Sequence, residues 1–196
     1  EVAYRCINPS CQAQLRRSVL HFGSREAMDI EGLGDVIVEQ LVEQGAIHDA
    51  AEVYRLTESA LLRLPLFAEK KAKKLLEAID VSRTRGLARL LYGLGIRHVG
   101  ERAALDLAQR FGSITELLQA DQETLKQVDG IGPVVAEAVT EYFRQSETRR
   151  LIKKLEAAGV VMKEAASGGP KPLANKSFVF TGELSGMSRS EAELLV

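Results

Sequence analysis

Two groups of residues in this chain have types and spacings that could do chemistry. Cys6 and Cys11, in "YRCINPSCQAQLRR", set two thiols with four residues between them across an Asn-Pro-Ser turn. Such a pair can supply half of a tetrahedral zinc site. Two ordinary thiols are the plainer reading, since no further ligand stands close. His21, in "VLHFGSR", is a candidate third ligand, but its setting favours packing or capping. The second group is glycine. Gly130 and Gly132 flank Ile131 in "VDGIGPVVAEAV", and Gly32 and Gly34 flank Leu33 in "IEGLGDV". Two glycines one residue apart, just ahead of a helical pattern, suit a bound phosphate.

The elements that position these glycines repeat along the chain. Taking Gly132 as an anchor, the same frame fits Gly34, Ala68 and Gly100. Four residues before the anchors stand Ile30, Leu64, Ile96 and Val128. One residue before stand Leu33, Phe67, Val99 and Ile131. Four after stand Val38, Ala72, Ala104 and Ala136, and seven after stand Leu41, Leu75, Leu107 and Val139. Every one of these positions is apolar in all four copies. The +4 and +7 spacing predicts a helix that starts just after each anchor. The segments ahead of the anchors also read as helices. Thr57 can cap one through Leu62, Asp121 can cap one through Val128, and Ser113 with Glu116 forms a capping box. Each unit is therefore helix, tight turn, helix, with glycine expected where the turn needs a positive φ and a close approach.

The copies are not equal. The first and fourth hold both glycines. The third holds Gly100, with His98 at the other position, and the second has only Leu66 and Ala68. Copies one and four are thus expected to bind a phosphate best. Copy two is either structural or binds through Lys70 and Lys71. The pattern resembles the helix-hairpin-helix motif, of which four form a compact all-α domain. In that family the hairpin N–H groups and the next helix N-terminus hold a DNA backbone phosphate. The resemblance assigns DNA contacts to Gly32, Leu33 and Gly34, to Arg97, His98, Val99 and Gly100, and to Gly130, Ile131 and Gly132. Phosphate contacts carry no base information, so binding should tolerate any sequence. Asp35, Glu69 and Glu101 follow three anchors and would repel a phosphate unless they point aside. The competing reading is that the glycines only close hairpins in a structural bundle.

A dinucleotide cofactor fits less well. Its fingerprint requires a third glycine, where this chain has Ile37 and Val135, and a preceding strand, where this chain reads as helix. "KQVDG" is similar to the Lys-x-Asp-Gly motif of covalent nucleotidyltransferases. Two residues separate Lys126 from Asp129, however, and the segment falls inside the repeat.

The chain has 196 residues, 45% hydrophobic and 27% charged, with a net charge of -1. That composition is globular. It excludes a broadly basic surface, although Arg16 and Arg17, Lys70 to Lys74, and Arg149, Arg150, Lys153 and Lys154 form local clusters. Hairpin amides need few cations, which reconciles DNA binding with this charge. No apolar run reaches the ~18 residues of a membrane span. No secretory signal pattern is evident, so the cytoplasm is expected. The chain opens without Met and closes in mid-pattern, as expected of a piece of something longer.

Residues 163 to 175, "KEAASGGPKPLAN", read as a linker. Beyond it, Ser177 to Thr181 reads as a strand, and Ser188 with Glu191 opens a helix. The ordered set "RCINPSCQAQ", "HFGSREAMDIEGLG", "LYGLGIRHVGE", "FGSITEL", "VDGIGP" and "FVFTGELSGMSRSEA" covers the whole chain. It resembles the C-terminal half of bacterial NAD+-dependent DNA ligases. Gln12 and Asn175 depart from the family's usual Pro and Gly.

The resemblance implies a mainly α fold: a tandem bundle of four hairpins, preceded by part of a small zinc finger and followed by an incomplete α/β BRCT domain. The finger would occupy residues 1 to 20 and the hairpins 21 to 162, centred on 30–41, 64–75, 96–107 and 128–139. The linker would follow, and the BRCT start would fill 176 to 196. Cys6 and Cys11 would be the last two ligands of a structural Zn2+. The parent enzyme would be a monomer that seals nicks between 3′-hydroxyl and 5′-phosphate ends during replication and repair. It would take AMP from NAD+ onto a lysine outside this chain, with Mg2+ assisting. This chain would grip the nicked duplex and perform no catalysis. Thr181 and Gly182 stand where other BRCT domains hold phosphate. Two other readings compete: a non-enzymatic hairpin module and a helical protein–protein adaptor.

Overall fold

The computed structural model describes residues 11–65 and 67–164. They belong to the first of two units in the chain, Glu1–Ala165. Cys6, Leu66, most of the expected linker and the BRCT-like stretch lie outside the described residues.

The described residues are mainly helical. The helices are α1 (Gln12–Gly23), α2 (Asp35–Glu43), α3 (Glu58–Leu61), α4 (Glu69–Ser82) and α5 (Leu87–Gly93). They continue as α6 (Glu101–Phe111), α7 (Ile114–Gln119), α8 (Gln122–Lys126), α9 (Pro133–Arg144) and α10 (Ser146–Ala157). A 3-10 helix, Ala50–Arg55, lies between α2 and α3. The second helices of the four hairpins are α2, α4, α6 and α9, and each starts on the residue after its anchor. The three helix starts expected from side-chain caps are present. The hydroxyl of Thr57 accepts from the Ala60 N–H, that of Ser113 from Glu116, and the Asp121 carboxylate from Thr124.

The repeat is a burial pattern. The residues at −4, +4 and +7 are buried in every copy, and so are Leu33, Val99 and Ile131 at −1, with Phe67 half-buried. Each fully buried Leu, Ile or Val contributes roughly 1.5–3 kcal/mol, so this stripe specifies the fold. The alanines at +4 leave room for neighbouring helices, and all three are fully buried.

The hairpins pack in pairs. A Cβ built on Gly32 would lie 3.7 Å from Leu75 Cδ1, so the first turn rests on α4 of the second hairpin. A Cβ on Gly130 would lie 3.8 Å from Asp106 Oδ2, so the fourth turn rests on α6 of the third. α1 and α5 join the pairs. A Cβ on Gly93 would stand 3.2 Å from Ala27 Cβ and 3.4 Å from Phe22 Cδ2, and His21 Nε2 lies 2.8 Å from the Tyr92 carbonyl oxygen.

Two arrangements depart from the expected boundaries. α1 carries the buried Val19 and Phe22 into the core, so the boundary expected after residue 20 falls inside this helix. His21 packs against Tyr92, as its setting suggested. At the other end, residues 158–164 form a strap. The Val161 N–H donates to Arg83 O at 2.7 Å, Glu164 N–H to Gly112 O at 2.8 Å, and Ile114 N–H to Met162 O at 3.0 Å. The Glu164 carboxylate accepts from Ala88 N–H at the start of α5, at 3.1 Å. Lys163 and Glu164, read as linker, therefore belong to the bundle.

Candidate nucleic-acid interface

The four turns share one hydrogen-bonding scheme. The residue before the anchor donates its N–H to the residue four before the anchor. The pairs are Leu33 to Ile30 at 3.1 Å, Phe67 to Leu64 at 3.3 Å, Val99 to Ile96 at 3.0 Å, and Ile131 to Val128 at 3.0 Å. The anchor carbonyl then accepts the +4 N–H of its helix in all four copies, at 2.9–3.0 Å. This is a tight turn closed by an apolar plug and running directly into a helix.

The two glycines of a turn do different work. Gly32 and Gly130 sit at φ +91° and +77°, in the left-handed region. They occupy the third position of the turn, where a positive φ favours glycine. His98 takes that position in the third copy at φ +64°. The anchors are different. Gly34, Ala68, Gly100 and Gly132 lie at φ −89°, −104°, −87° and −78°, with ψ near 180°. The positive φ expected of the turn falls on the first glycine, and the anchors are ordinary extended N-caps. Nothing of the protein lies within 4 Å of a Cβ built on Gly34, Gly100 or Gly132. Internal packing therefore does not require glycine there, and only a group arriving from outside would be crowded by a side chain.

The anchors also leave their helices bare. None of the four provides a side-chain cap. The first-turn N–H groups of a helix have no intrahelical acceptors and carry the positive end of the helix dipole. In α9 the first position is Pro133, which brings no N–H, so the fourth hairpin offers one donor fewer.

The expected contact residues divide by direction. Gly32, Gly34, Arg97, His98, Gly100, Gly130 and Gly132 are exposed, as are Lys70 and Lys71 on the first turn of α4. Lys71 Nζ stands 4.8 Å from the Phe67 ring centroid. Leu33, Val99 and Ile131 point into the core, and their N–H groups are committed within the turn. They hold the turn and do not reach outward. The second copy, without glycine in its anchor, still presents Ala68 in the same extended conformation as the others. The acidic +1 residues remain at the rim, where the Arg16 guanidinium lies 3.7 Å from the Asp35 carboxylate and also bonds Glu39.

The register singles out one position that the motif alone did not. Two residues after the anchors stand Val36, Lys70, Arg102 and Val134, all exposed. Only Lys70 was a sequence candidate. Aligning the exposed positions of the repeat, as well as the buried ones, would have found the others.

Cys11 precedes α1 and is half-buried. Among the described residues no group of three or more His, Cys, Asp or Glu could hold a metal. A zinc ion at Cys11 would need its other ligands from beyond them. No helix among the described residues is long and apolar enough to cross a membrane.

Comparison with known proteins matches both hairpin pairs. Residues 24–80 match the family described as a SAM-like helix-hairpin-helix tandem, and residues 89–152 match the helix-hairpin-helix motif family. The whole chain is 48% identical to a DNA ligase of Syntrophus aciditrophicus, covering 29% of that protein. It is 48% identical to a DNA ligase of Symbiobacterium thermophilum and 46% identical to one of Latilactobacillus sakei, covering 30% of each. The chain thus spans less than a third of the length of these relatives. Both hairpin pairs are thus similar to helix-hairpin-helix families, and the chain aligns from end to end with one stretch of these DNA ligases.

Proposed function

We propose that this chain is the DNA-gripping part of an NAD+-dependent DNA ligase. In this reading the exposed turns lie along the backbone of a nicked duplex. Phosphate oxygens accept N–H groups from the starts of α2, α4, α6 and α9, with Lys70, Lys71 and Arg97 adding charge. The observation that carries the reading is the set of four uncapped helix starts in one register, three of them on glycines that only an outside group would crowd. Amide donors work without a basic surface, in keeping with the net charge of -1.

The remainder of the parent enzyme would seal the nick between 3′-hydroxyl and 5′-phosphate in the bacterial cytoplasm. NAD+ would supply AMP and Mg2+ would assist phosphoryl transfer, both held outside these residues. Cys6 and Cys11 would close a structural zinc finger, and residues 176 to 196 would open a BRCT domain.

Two measurements test this reading. The chain should bind nicked duplex of arbitrary sequence, with log affinity falling linearly as log salt rises. Absence of binding, or a flat salt response, would refute it. Incubated with NAD+, Mg2+ and nicked DNA, the chain should acquire no covalent AMP; an adduct would place catalysis inside it.

A further inference from the structure

The exposed residue two places after each anchor follows a rule. In the first and fourth hairpins, which carry both glycines, it is valine: Val36 and Val134 are 62% and 60% exposed. In the second and third hairpins, which lack one glycine or both, it is a cation, Lys70 or Arg102. Arg102 Nε lies 3.1 Å from Asp106, yet the side chain extends largely into solvent. Large apolar side chains exposed on this surface are few. Two of them occupy the same place in the repeat, beside the bare turns.

Folding does not explain these valines. Neither packs into the core, and β-branched residues are indifferent helix formers. A side chain in the first turn of a helix whose N-terminus faces a phosphate projects alongside that phosphate. On a nucleic-acid strand the neighbour of a phosphate is a sugar, whose C–H edge is apolar. Minor-groove proteins insert apolar side chains between base steps; a valine beside a phosphate is too short for that and meets the sugar instead.

We infer that Val36 and Val134 rest on the sugar edges flanking the phosphates held by the first and fourth hairpins, while Lys70 and Arg102 supply charge at the second and third. The four hairpins thus form two kinds of backbone contact, one apolar and insensitive to salt, the other ionic. This inference rests on the proposed DNA-binding function and divides its labour. Covering one such valine removes apolar surface worth roughly a fivefold change in affinity. Neutralising one phosphate-contacting cation lowers the salt slope by about 0.9.

The test is fluorescence anisotropy of a labelled nicked duplex across a salt series, with the full chain and its variants. Val36→Ser and Val134→Ser should each weaken binding about fivefold at every salt concentration, leaving the slope unchanged. Lys70→Gln and Arg102→Gln should weaken binding mainly at low salt and flatten the slope by about 0.9 each. Leu118→Ser, at a residue 39% exposed on α7 and away from any anchor, should bind as the unaltered chain does. Melting curves establish that each variant folds. Valine variants that bind normally, or that flatten the slope, would overturn the inference and leave the DNA reading standing. An unaltered chain that does not bind would overturn both.

Discussion

The helix starts of this protein fall into two sets. The 3-10 helix, α3, α7 and α8 open on Asp49, Thr57, Ser113 and Asp121, each accepting an N–H three residues on. α2, α4, α6 and α9 open on Gly34, Ala68, Gly100 and Gly132, without any side-chain cap. α1 and α10 also lack one, but they are not the second helix of a hairpin. α5 is served from a distance by Glu164. A side-chain cap is typically worth about 1 kcal/mol. Caps occur only at helix starts outside the hairpin register, and all four starts within that register lack one. A donor already satisfied by its own chain cannot hold a ligand, so in the proposed reading the omission leaves these four helix starts open to a phosphate.

The comparison can be broken most sharply inside a single turn. Gly132→Thr adds a β-branched side chain at an extended residue with open space around it. Threonine caps about as well as glycine, so stability should hold. Duplex affinity should fall by the worth of a charge-assisted hydrogen bond, about 1.5–3 kcal/mol. Gly130→Thr, two residues earlier, should do the reverse. It forces a β-branched residue to φ +77°, costing about 1–2 kcal/mol of stability. Paired melting and binding measurements check both variants. Ala68→Thr should weaken binding less than Gly132→Thr, since a Cβ already stands there. Equal losses would erase the distinction between the hairpins.

The capped set should respond in the opposite sense. Ser113→Ala and Asp121→Ala should each lower stability by about 1 kcal/mol, read by denaturant titration, with duplex affinity unchanged. A fall in affinity would show that α7 and α8 belong to the interface.

A further effect concerns acid. Burial pushes the Glu52 carboxyl up, but the Lys154 ammonium and the backbone and side chain of His48 outweigh it and bring the group down to about 2. Lys154 Nζ lies 2.8 Å from Glu52 and 2.6 Å from Asp49, tying α10 to the 3-10 helix. A carboxyl depressed by folding contributes stability above its unfolded value near 4.5, and that contribution disappears as pH falls toward 2. Acid titration followed by circular dichroism should show this component, and Lys154→Met should remove most of it.

Much of the architecture was legible because the repeat is written in buried residues. Ile30, Leu64, Ile96 and Val128 had to share an environment, and they do. The caps at Thr57, Ser113 and Asp121 were legible because their chemistry is local. The two glycines of a turn look alike in a sequence, so nothing local told the positive-φ glycine from the extended anchor. His98 in the left-handed region was equally hidden. That Leu33, Val99 and Ile131 point inward was not legible, because a motif lists residues without directions. α1 and the strap depend on long-range contacts, Phe22 against Gly93 and Val161 against Arg83, which no spacing rule encodes.

If the bare helix starts serve a phosphate backbone, blocking them must cost binding and leave the fold intact. The most direct measurement compares the full chain with a variant carrying Gly34→Thr, Gly100→Thr and Gly132→Thr, by melting and by binding to a nicked duplex. The triple variant should melt close to the unaltered chain and bind at least about 100-fold more weakly. A variant that melts normally and binds the duplex as tightly as before would contradict that role.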